Sequence, residues 1–108
     1  MSSITTHILD VSIGRPAARV MVTLERETNG VWERLGSQRT DDDGRARELL
    51  NEPLVVGSYR LTLDVGSYFD VETFYKEVTI SFVVRDASQH YHVPLLLSPF
   101  GYSTYRGS

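Results

Sequence analysis

The chain has 108 residues, of which 41% are hydrophobic and 23% are charged, a composition typical of a folded globular domain. A formal net charge of -3 argues against a nucleic-acid partner, and no apolar run approaches the roughly 18 residues that a membrane span needs. Cysteine is absent, which excludes disulfides and thiolate chemistry. The N-terminus lacks the pattern of a secretory signal, so we expect a cytoplasmic protein with one domain over residues 1–108.

Alternation of apolar and polar residues predicts β-strands along most of the chain. In one such strand, Val20, Val22 and Leu24 fall on the same face. The dipeptide Asn29-Gly30 between two alternating runs indicates a tight hairpin. The predicted strands cover residues 4–10, 19–26, 31–39, 46–48, 59–65, 76–85, 90–97 and 101–107.

One segment, residues 67–75, is predicted to be a short helix. Ser67 serves as its cap, and Phe69, Val71 and Phe74 are expected to face the sheet. Seven or eight strands separated by turns at intervals of ~8–12 residues predict an all-β fold. The expected architecture is a two-sheet antiparallel β-sandwich with one short helix.

Two histidines are predicted to project from outer faces of strands. Alternation places His92 beside Pro94 and Leu96, opposite the apolar residues that form the core face of the same strand. Apolar residues on an outer face indicate a subunit interface or a lined channel. His7 lies on the outer face of the first strand. From spacing alone, a surface position without function and a catalytic role are equally open for both histidines.

Other polar groups leave similar alternatives. His90 and His92 have the spacing of metal ligands on one strand face, but no third ligand is evident, so we predict no metal and no cofactor. Arg45 ends the loop TDDDGR, where it is either a solvated charge or a guanidinium that binds an anion. Tyr105 is predicted to point away from the core, and a tyrosine in a final strand is more often a packing residue.

Four segments in this order and spacing resemble the 5-hydroxyisourate hydrolases of the transthyretin family. They are ITTHILD at 4–10, GRPA at 14–17, TDDDGR at 40–45 and YHVPLLLSPFGYSTYRGS at 91–108. The terminal YRGS is the most specific of these features, and the resemblance runs essentially from end to end. It implies a transthyretin-like sandwich assembled as a homotetramer, a dimer of dimers, with active sites in a central channel.

The resemblance also implies an activity, which is the hydrolysis of 5-hydroxyisourate to 2-oxo-4-hydroxy-4-carboxy-5-ureidoimidazoline in urate catabolism. It assigns catalysis to His7, Arg45 and His92, and substrate binding to His7, Arg45, Tyr105 and Ser108. Histidines exchange protons near neutral pH, and an arginine stabilises oxyanion charge. Which histidine is the general base stays open.

Two other classes of protein remain as alternatives. The first is a non-catalytic, transthyretin-like carrier of a small aromatic ligand in the same channel. The second is a sandwich adhesion module, which is more typical of a secreted, multidomain chain. A carrier has no use for paired titrating groups, so the set of His7, Arg45, His92 and the YRGS end favours the hydrolase.

Overall fold

Two β-sheets dominate residues 3–108, which are the residues that the computed structural model describes. The elements in chain order are β1 (Ile4–Asp10), β2 (Arg15–Pro16), β3 (Met21–Thr28), β4 (Val31–Arg39), β5 (Arg45–Ala46), β6 (Gly57–Asp64), α1 (Val65–Tyr68), β7 (Glu77–Val84), β8 (Tyr91–Ser98) and β9 (Gly101–Thr104). The first sheet has the order β2-β1-β8-β9, with β5 also paired to β1, and the second has the order β4-β3-β6-β7. The predicted all-β sandwich is therefore confirmed.

The core lies between the two sheets and is built by the alternation seen in the sequence. In β6, Tyr59, Leu61 and Leu63 have no exposed surface. In β8, the core face predicted from the sequence is no more than 7% exposed, and its members are Tyr91, Val93, Leu95 and Leu97. Because period-two alternation sends the intervening residues to the opposite side, His92 is carried to the outer face of the first sheet.

The hairpin predicted at Asn29-Gly30 is confirmed. Both residues have positive φ, at 52° and 79°, and Thr28 pairs directly with Val31. Positive φ at both central positions is the requirement of a two-residue type I′ turn, which matches the twist of the flanking strands. The two residues therefore join β3 to β4 with the shortest connection.

One strand pair departs from the antiparallel prediction, because β1 and β8 run parallel. All the other pairings of strands within residues 3–108 are antiparallel. A hairpin forces its strands to be antiparallel, but β1 and β8 are separated by the whole second sheet, so no turn fixes their relative direction. The parallel register pairs Thr5 with His92 and His7 with Pro94.

The helix prediction for residues 67–75 was wrong in its position. The helix is α1, and its cap is Asp64 rather than Ser67, since the Asp64 carboxylate accepts a hydrogen bond from Ser67 N at 3.2 Å. Strand β6 runs as far as Asp64, so the capping carboxylate stands at the strand end and the helix begins at once. No helix in residues 3–108 is long and apolar enough to cross a membrane.

The residues after α1 are extended or irregular, and only part of their predicted packing is found. Phe69 packs against the core, whereas Val71 and Phe74 are 62% and 72% exposed and do not face the sheet. The N–H of Phe74 donates to Pro99 O at 2.9 Å, which ties this segment to the turn between β8 and β9. Strand bounds also differ from the prediction. The strands β3, β6, β7 and β8 are shifted by one or two residues, β5 is Arg45–Ala46, β9 stops at Thr104, and β2 was not predicted.

Candidate active site

The outer face of the first sheet brings together residues from three strands. Thr5 and His7 come from β1, His92 from β8 and Arg45 from β5. Thr5 is the register partner of His92, and His7 is the register partner of Arg45. Register partners have side chains on the same face of a sheet, so the central strand β1 holds these four groups next to one another.

The loop before Arg45 is shaped by hydrogen bonds to Asp41. Its carboxylate accepts the backbone N–H groups of Asp43 and Arg45, each at 2.9 Å. These hydrogen bonds, the one from Arg45 first, lower the pKa of Asp41 below its usual value. At Gly44, φ is +75° and an added Cβ would collide with the carbonyl oxygen of Ile8, so only glycine fits there. The loop therefore docks on β1 and delivers Arg45 beside His7.

His92 is half-buried and has a perturbed pKa. Its Nδ1 lies 2.8 Å from Thr5 Oγ1, and the same oxygen lies 2.9 Å from His90 Nε2. Burial lowers the pKa of His92, and electrostatic repulsion by Arg45, and by protonated forms of His7 and His90, lowers it further, against a smaller opposing effect of Thr5. His92 is therefore kept neutral near neutral pH, in the state that can accept a proton.

These groups border an open cleft of about 200 Å³. The cleft is lined by Thr5, Thr6, Arg45, Arg47, His90, His92 and Ser108. Two arginines, whose guanidinium groups supply only hydrogen-bond donors, and two histidines are thus among its lining residues. Such a cleft favours an anionic or carbonyl-rich ligand and provides a neutral base beside it.

The last residues of the chain fold over His92. Gly107 N–H donates to His92 O at 2.9 Å in an isolated bridge, which places Ser108 at the cleft. A Cβ added to Gly107 would lie 2.6 Å from His92 Cδ2 and 3.0 Å from Pro94 Cγ. Only a glycine therefore allows this segment to lie so close to the imidazole.

Tyr105 lies apart from the polar cleft. Its side chain is 59% exposed and borders a neighbouring apolar cavity of about 170 Å³. That cavity also reaches His92 and is bounded on its other side by Phe82 of β7. Next to it, the guanidinium of Arg106 stacks on the ring of Tyr91 at 4.5 Å. His92 therefore stands between the two spaces.

The structure brings together four of the five residues that the sequence singled out. His92, Arg45 and Ser108 border the cleft and His7 adjoins Arg45, whereas Tyr105 borders the second space. Four other residues line the cleft, which are Thr5, Thr6, Arg47 and His90. Sequence reasoning considered only His90 among them, as a possible metal ligand. Thr5, Arg47 and His90 are each two residues from a predicted site residue, so period-two alternation was the available signal for these three. Within residues 3–108, no three histidine or acidic side chains are grouped closely enough to hold a metal ion.

Comparisons with known proteins identify relatives of this chain. Residues 4–107 match the sequence profile of the HIUase/Transthyretin family. A 5-hydroxyisourate hydrolase from Caulobacter vibrioides is 48% identical, with both chains covered over their full length. The solved structure of Klebsiella pneumoniae 5-hydroxyisourate hydrolase superposes with a TM-score of 0.86 at 41% identity, covering 97% of this chain and 98% of that one.

A second solved structure shares the fold at lower identity. Sea bream transthyretin in complex with thyroxine superposes with a TM-score of 0.92 at 28% identity, covering 98% of this chain and 95% of that one. The region matched by the family profile spans both sheets and all the residues that line the cleft except Ser108. This chain belongs to the HIUase/Transthyretin family.

Proposed function

We propose that this protein hydrolyses 5-hydroxyisourate, yielding 2-oxo-4-hydroxy-4-carboxy-5-ureidoimidazoline, in the breakdown of urate. The observation that carries the proposal is a half-buried His92 that shares an open cleft with Arg45, where burial first and Arg45 second lower the pKa of the imidazole. The Caulobacter and Klebsiella relatives, which bear the name of this activity, support it over most of the chain length. The reaction requires no cofactor.

Ring opening of a cyclic amide requires an activated water, stabilisation of a tetrahedral oxyanion and a proton for the leaving nitrogen. His92 is suited to be the general base, because its lowered pKa keeps the imidazole neutral at the pH at which it must accept a proton from water. General acid–base catalysis contributes ~10²–10⁴-fold in rate. We assign that contribution to His92 first and proton delivery to His7.

Arg45 is the proposed oxyanion stabiliser. Its backbone is fixed on both sides, by the Asp41 carboxylate at its N–H and by pairing with His7. A guanidinium carried on a fixed backbone at the edge of the cleft is close to the position where negative charge would develop, which favours its stabilisation. A single donor of this kind contributes ~10²–10³-fold to the rate of acyl-transfer enzymes. Ser108, and Tyr105 from the neighbouring cavity, are the proposed substrate contacts.

We also propose a homotetramer built as a dimer of dimers. Strands β7 and β9 end their sheets, and both border the apolar cavity next to His92, so their free edges lie on the same side of the sandwich. The nearby surface carries exposed aromatic side chains, namely Phe74, Phe100, Tyr102 and Tyr105. Unpaired edges beside apolar surface pair readily with a second copy. Sedimentation equilibrium that gives a monomer at assay concentration would contradict this assembly.

The alternative is a carrier that binds a small aromatic ligand. Its support is the close structural likeness to the transthyretin that was solved with thyroxine. A carrier needs an apolar pocket, but it gains nothing from a half-buried histidine that shares a polar cleft with two arginines. The hydrolase is therefore the stronger candidate, and one assay separates the two.

The test generates 5-hydroxyisourate from urate with urate oxidase and follows the decay of its ultraviolet absorbance, with the product identified by ¹³C NMR. Wild-type protein is expected to accelerate the decay, and His92→Ala to lose most of the acceleration. Arg45→Gln is expected to lose ~10²-fold in kcat/KM. The matched control Arg85→Gln removes the same charge from an exposed position and is expected to keep full activity. Spontaneous decay that wild-type protein leaves unchanged would refute the hydrolase and leave the carrier.

A further inference from the structure

The hydroxyl of Thr5 joins the imidazoles of His92 and His90. Thr5 Oγ1 lies 2.8 Å from His92 Nδ1 and 2.9 Å from His90 Nε2, and the residue is only 5% exposed. A hydroxyl has one hydrogen, so it donates one of these hydrogen bonds and accepts the other. The protonation patterns of the two rings are therefore linked.

Two arrangements satisfy this geometry. In the first, His92 Nδ1–H donates to Thr5 Oγ1, and Thr5 O–H donates to His90 Nε2. Neutral His92 then has an unprotonated Nε2. In the second, His90 Nε2–H donates to Thr5 Oγ1, and Thr5 O–H donates to His92 Nδ1. Neutral His92 then carries its proton on Nε2. Only the first arrangement leaves a nitrogen lone pair that can remove a proton from water.

The surroundings of His92 favour the first arrangement. Arg45 and Arg47 bring donors and positive charge to the cleft, and the Thr6 hydroxyl is already used as a donor to Val93 O at 2.6 Å. A lone pair on Nε2 of His92 is stabilised by these positive charges, whereas an N–H at the same position would be repelled by them. Within residues 3–108, no protein group hydrogen-bonds to Nε2 of His92, so this nitrogen is available to a ligand.

We propose that His90, acting through Thr5, holds His92 in the tautomer that has its proton on Nδ1 and a free lone pair on Nε2. His90 and Thr5 are then positioning residues for the reaction, while His92 is the group that touches water. The inference deepens the proposed function, since it rests on His92 as the general base. It also gives a role to His90, the second histidine of the cleft, which precedes β8 and is not the register partner of Thr5.

The tautomer can be observed without any assay of activity. The chain has 3 histidines, so long-range ¹H–¹⁵N correlation spectra of histidine-labelled protein resolve each ring. We expect neutral His92 to carry its proton on Nδ1, and Thr5→Val to produce a mixture of tautomers or the opposite one. A wild-type ring protonated on Nε2 would overturn the proposal. This result is independent of whether the protein hydrolyses 5-hydroxyisourate, so the two proposals fail separately.

Kinetics provide the second test. Thr5→Val keeps the shape of the side chain and removes the hydroxyl, and it is expected to lower kcat at least about tenfold while KM changes less than about twofold. Thr5→Ser restores the hydroxyl and most of kcat. His90→Phe lowers kcat similarly, and the double variant is no worse than either single one, because both changes break one linkage.

The matched control is Thr62→Val. It removes a hydroxyl of β6 that lies 3.3 Å from Thr79 Oγ1 in the second sheet, outside the cleft and the neighbouring apolar cavity, and is expected to leave kcat unchanged. Additive losses in the double variant, or wild-type kcat in Thr5→Val, would overturn the linkage. A Thr62→Val protein as slow as Thr5→Val would likewise overturn it, because the loss would then follow from strand packing.

Discussion

Replacing Gly107 by alanine tests whether the end of the chain holds His92 in place. The added Cβ would lie 2.6 Å from His92 Cδ2, whereas non-bonded carbon atoms are normally about 3.5–4.0 Å apart. The imidazole cannot move away freely, because its Nδ1 is hydrogen-bonded to Thr5. The ring of Pro94, 3.0 Å from the new atom, is also rigid. The terminal segment, the ring or both must shift by roughly 1 Å.

The cost to stability is expected to be small and the cost to activity large. Lifting the terminal segment breaks the hydrogen bond from Gly107 N–H to His92 O, which is a loss of about 1 kcal/mol in the free energy of unfolding. For a domain of this size, that corresponds to a decrease of roughly 4 °C in Tm. A displacement of about 1 Å at a catalytic group can cost ~10²-fold in rate. We therefore expect kcat/KM to fall about 100-fold.

The measurement combines the absorbance assay with thermal unfolding of the same preparations. Gly101→Ala is the matched control, because its Cβ would meet only Ser98 Oγ at 3.8 Å, an ordinary contact. We expect that variant to keep both activity and Tm. If Gly107→Ala retains kcat/KM within about twofold, the terminal segment does not position His92 and the reasoning is refuted.

Three further predictions concern pH, the loop and the core. The pKa of His92 is lower in the folded than in the unfolded chain. When the pH falls below about 6.5, the unfolded chain therefore binds the proton first, and the free energy of unfolding decreases. Urea titrations at several pH values would detect this decrease. In a profile of kcat/KM against pH, activity should be lost on the acid side, with a midpoint that also lies below pH 6.5. Arg45→Gln should move this midpoint upward, but not as far as 6.5, because burial lowers the pKa of His92 more than Arg45 does. An unmoved midpoint would contradict this. Asp41→Ala removes the acceptor of two backbone hydrogen bonds and is expected to lower kcat/KM by about tenfold with a small loss of stability. Asp42→Ala, whose exposed carboxylate accepts a hydrogen bond from Arg19, should leave kcat/KM unchanged. Leu61→Ala empties space in a fully buried position and should lower the free energy of unfolding by about 2–5 kcal/mol with little change in kcat at 20 °C, as judged by urea unfolding; a loss below about 1 kcal/mol would contradict the core assignment.

The sequence was most informative where structure depends on neighbouring residues. Alternation identified the core face of β8 and hence the outward direction of His92, because the two faces of a strand follow directly from a period of two. Asn29-Gly30 predicted its turn, because few residues tolerate positive φ at two successive positions. The resemblance carried by the motifs around His7, Arg45 and His92 implied that these residues share a site, and strand pairing brings them to one face of the first sheet.

The helix could not be located from its own residues. Its cap, Asp64, is the last residue of β6, and a strand that runs straight into a helix leaves no polar segment to mark the boundary. Phe69 is extended, with φ of -83° and ψ of 140°, although its spacing from Val71 and Phe74 suited a helical face. The link from Phe74 to Pro99 is a contact across the fold, and it outweighs the weak local preference of this segment.

Sequence alone thus determined the two-sheet class of the fold, the residues that face outward and the family to which the motifs point. Only the tertiary structure decided that β1 and β8 run parallel, which sets Thr5 opposite His92 and lets one hydroxyl reach two imidazoles. It also decided that Gly107 closes on His92 while Tyr105 borders a different space. Local periodicity specifies the face on which a side chain lies, but strand direction and register arise from pairings between residues more than 80 positions apart, for which the sequence carries no short-range signal.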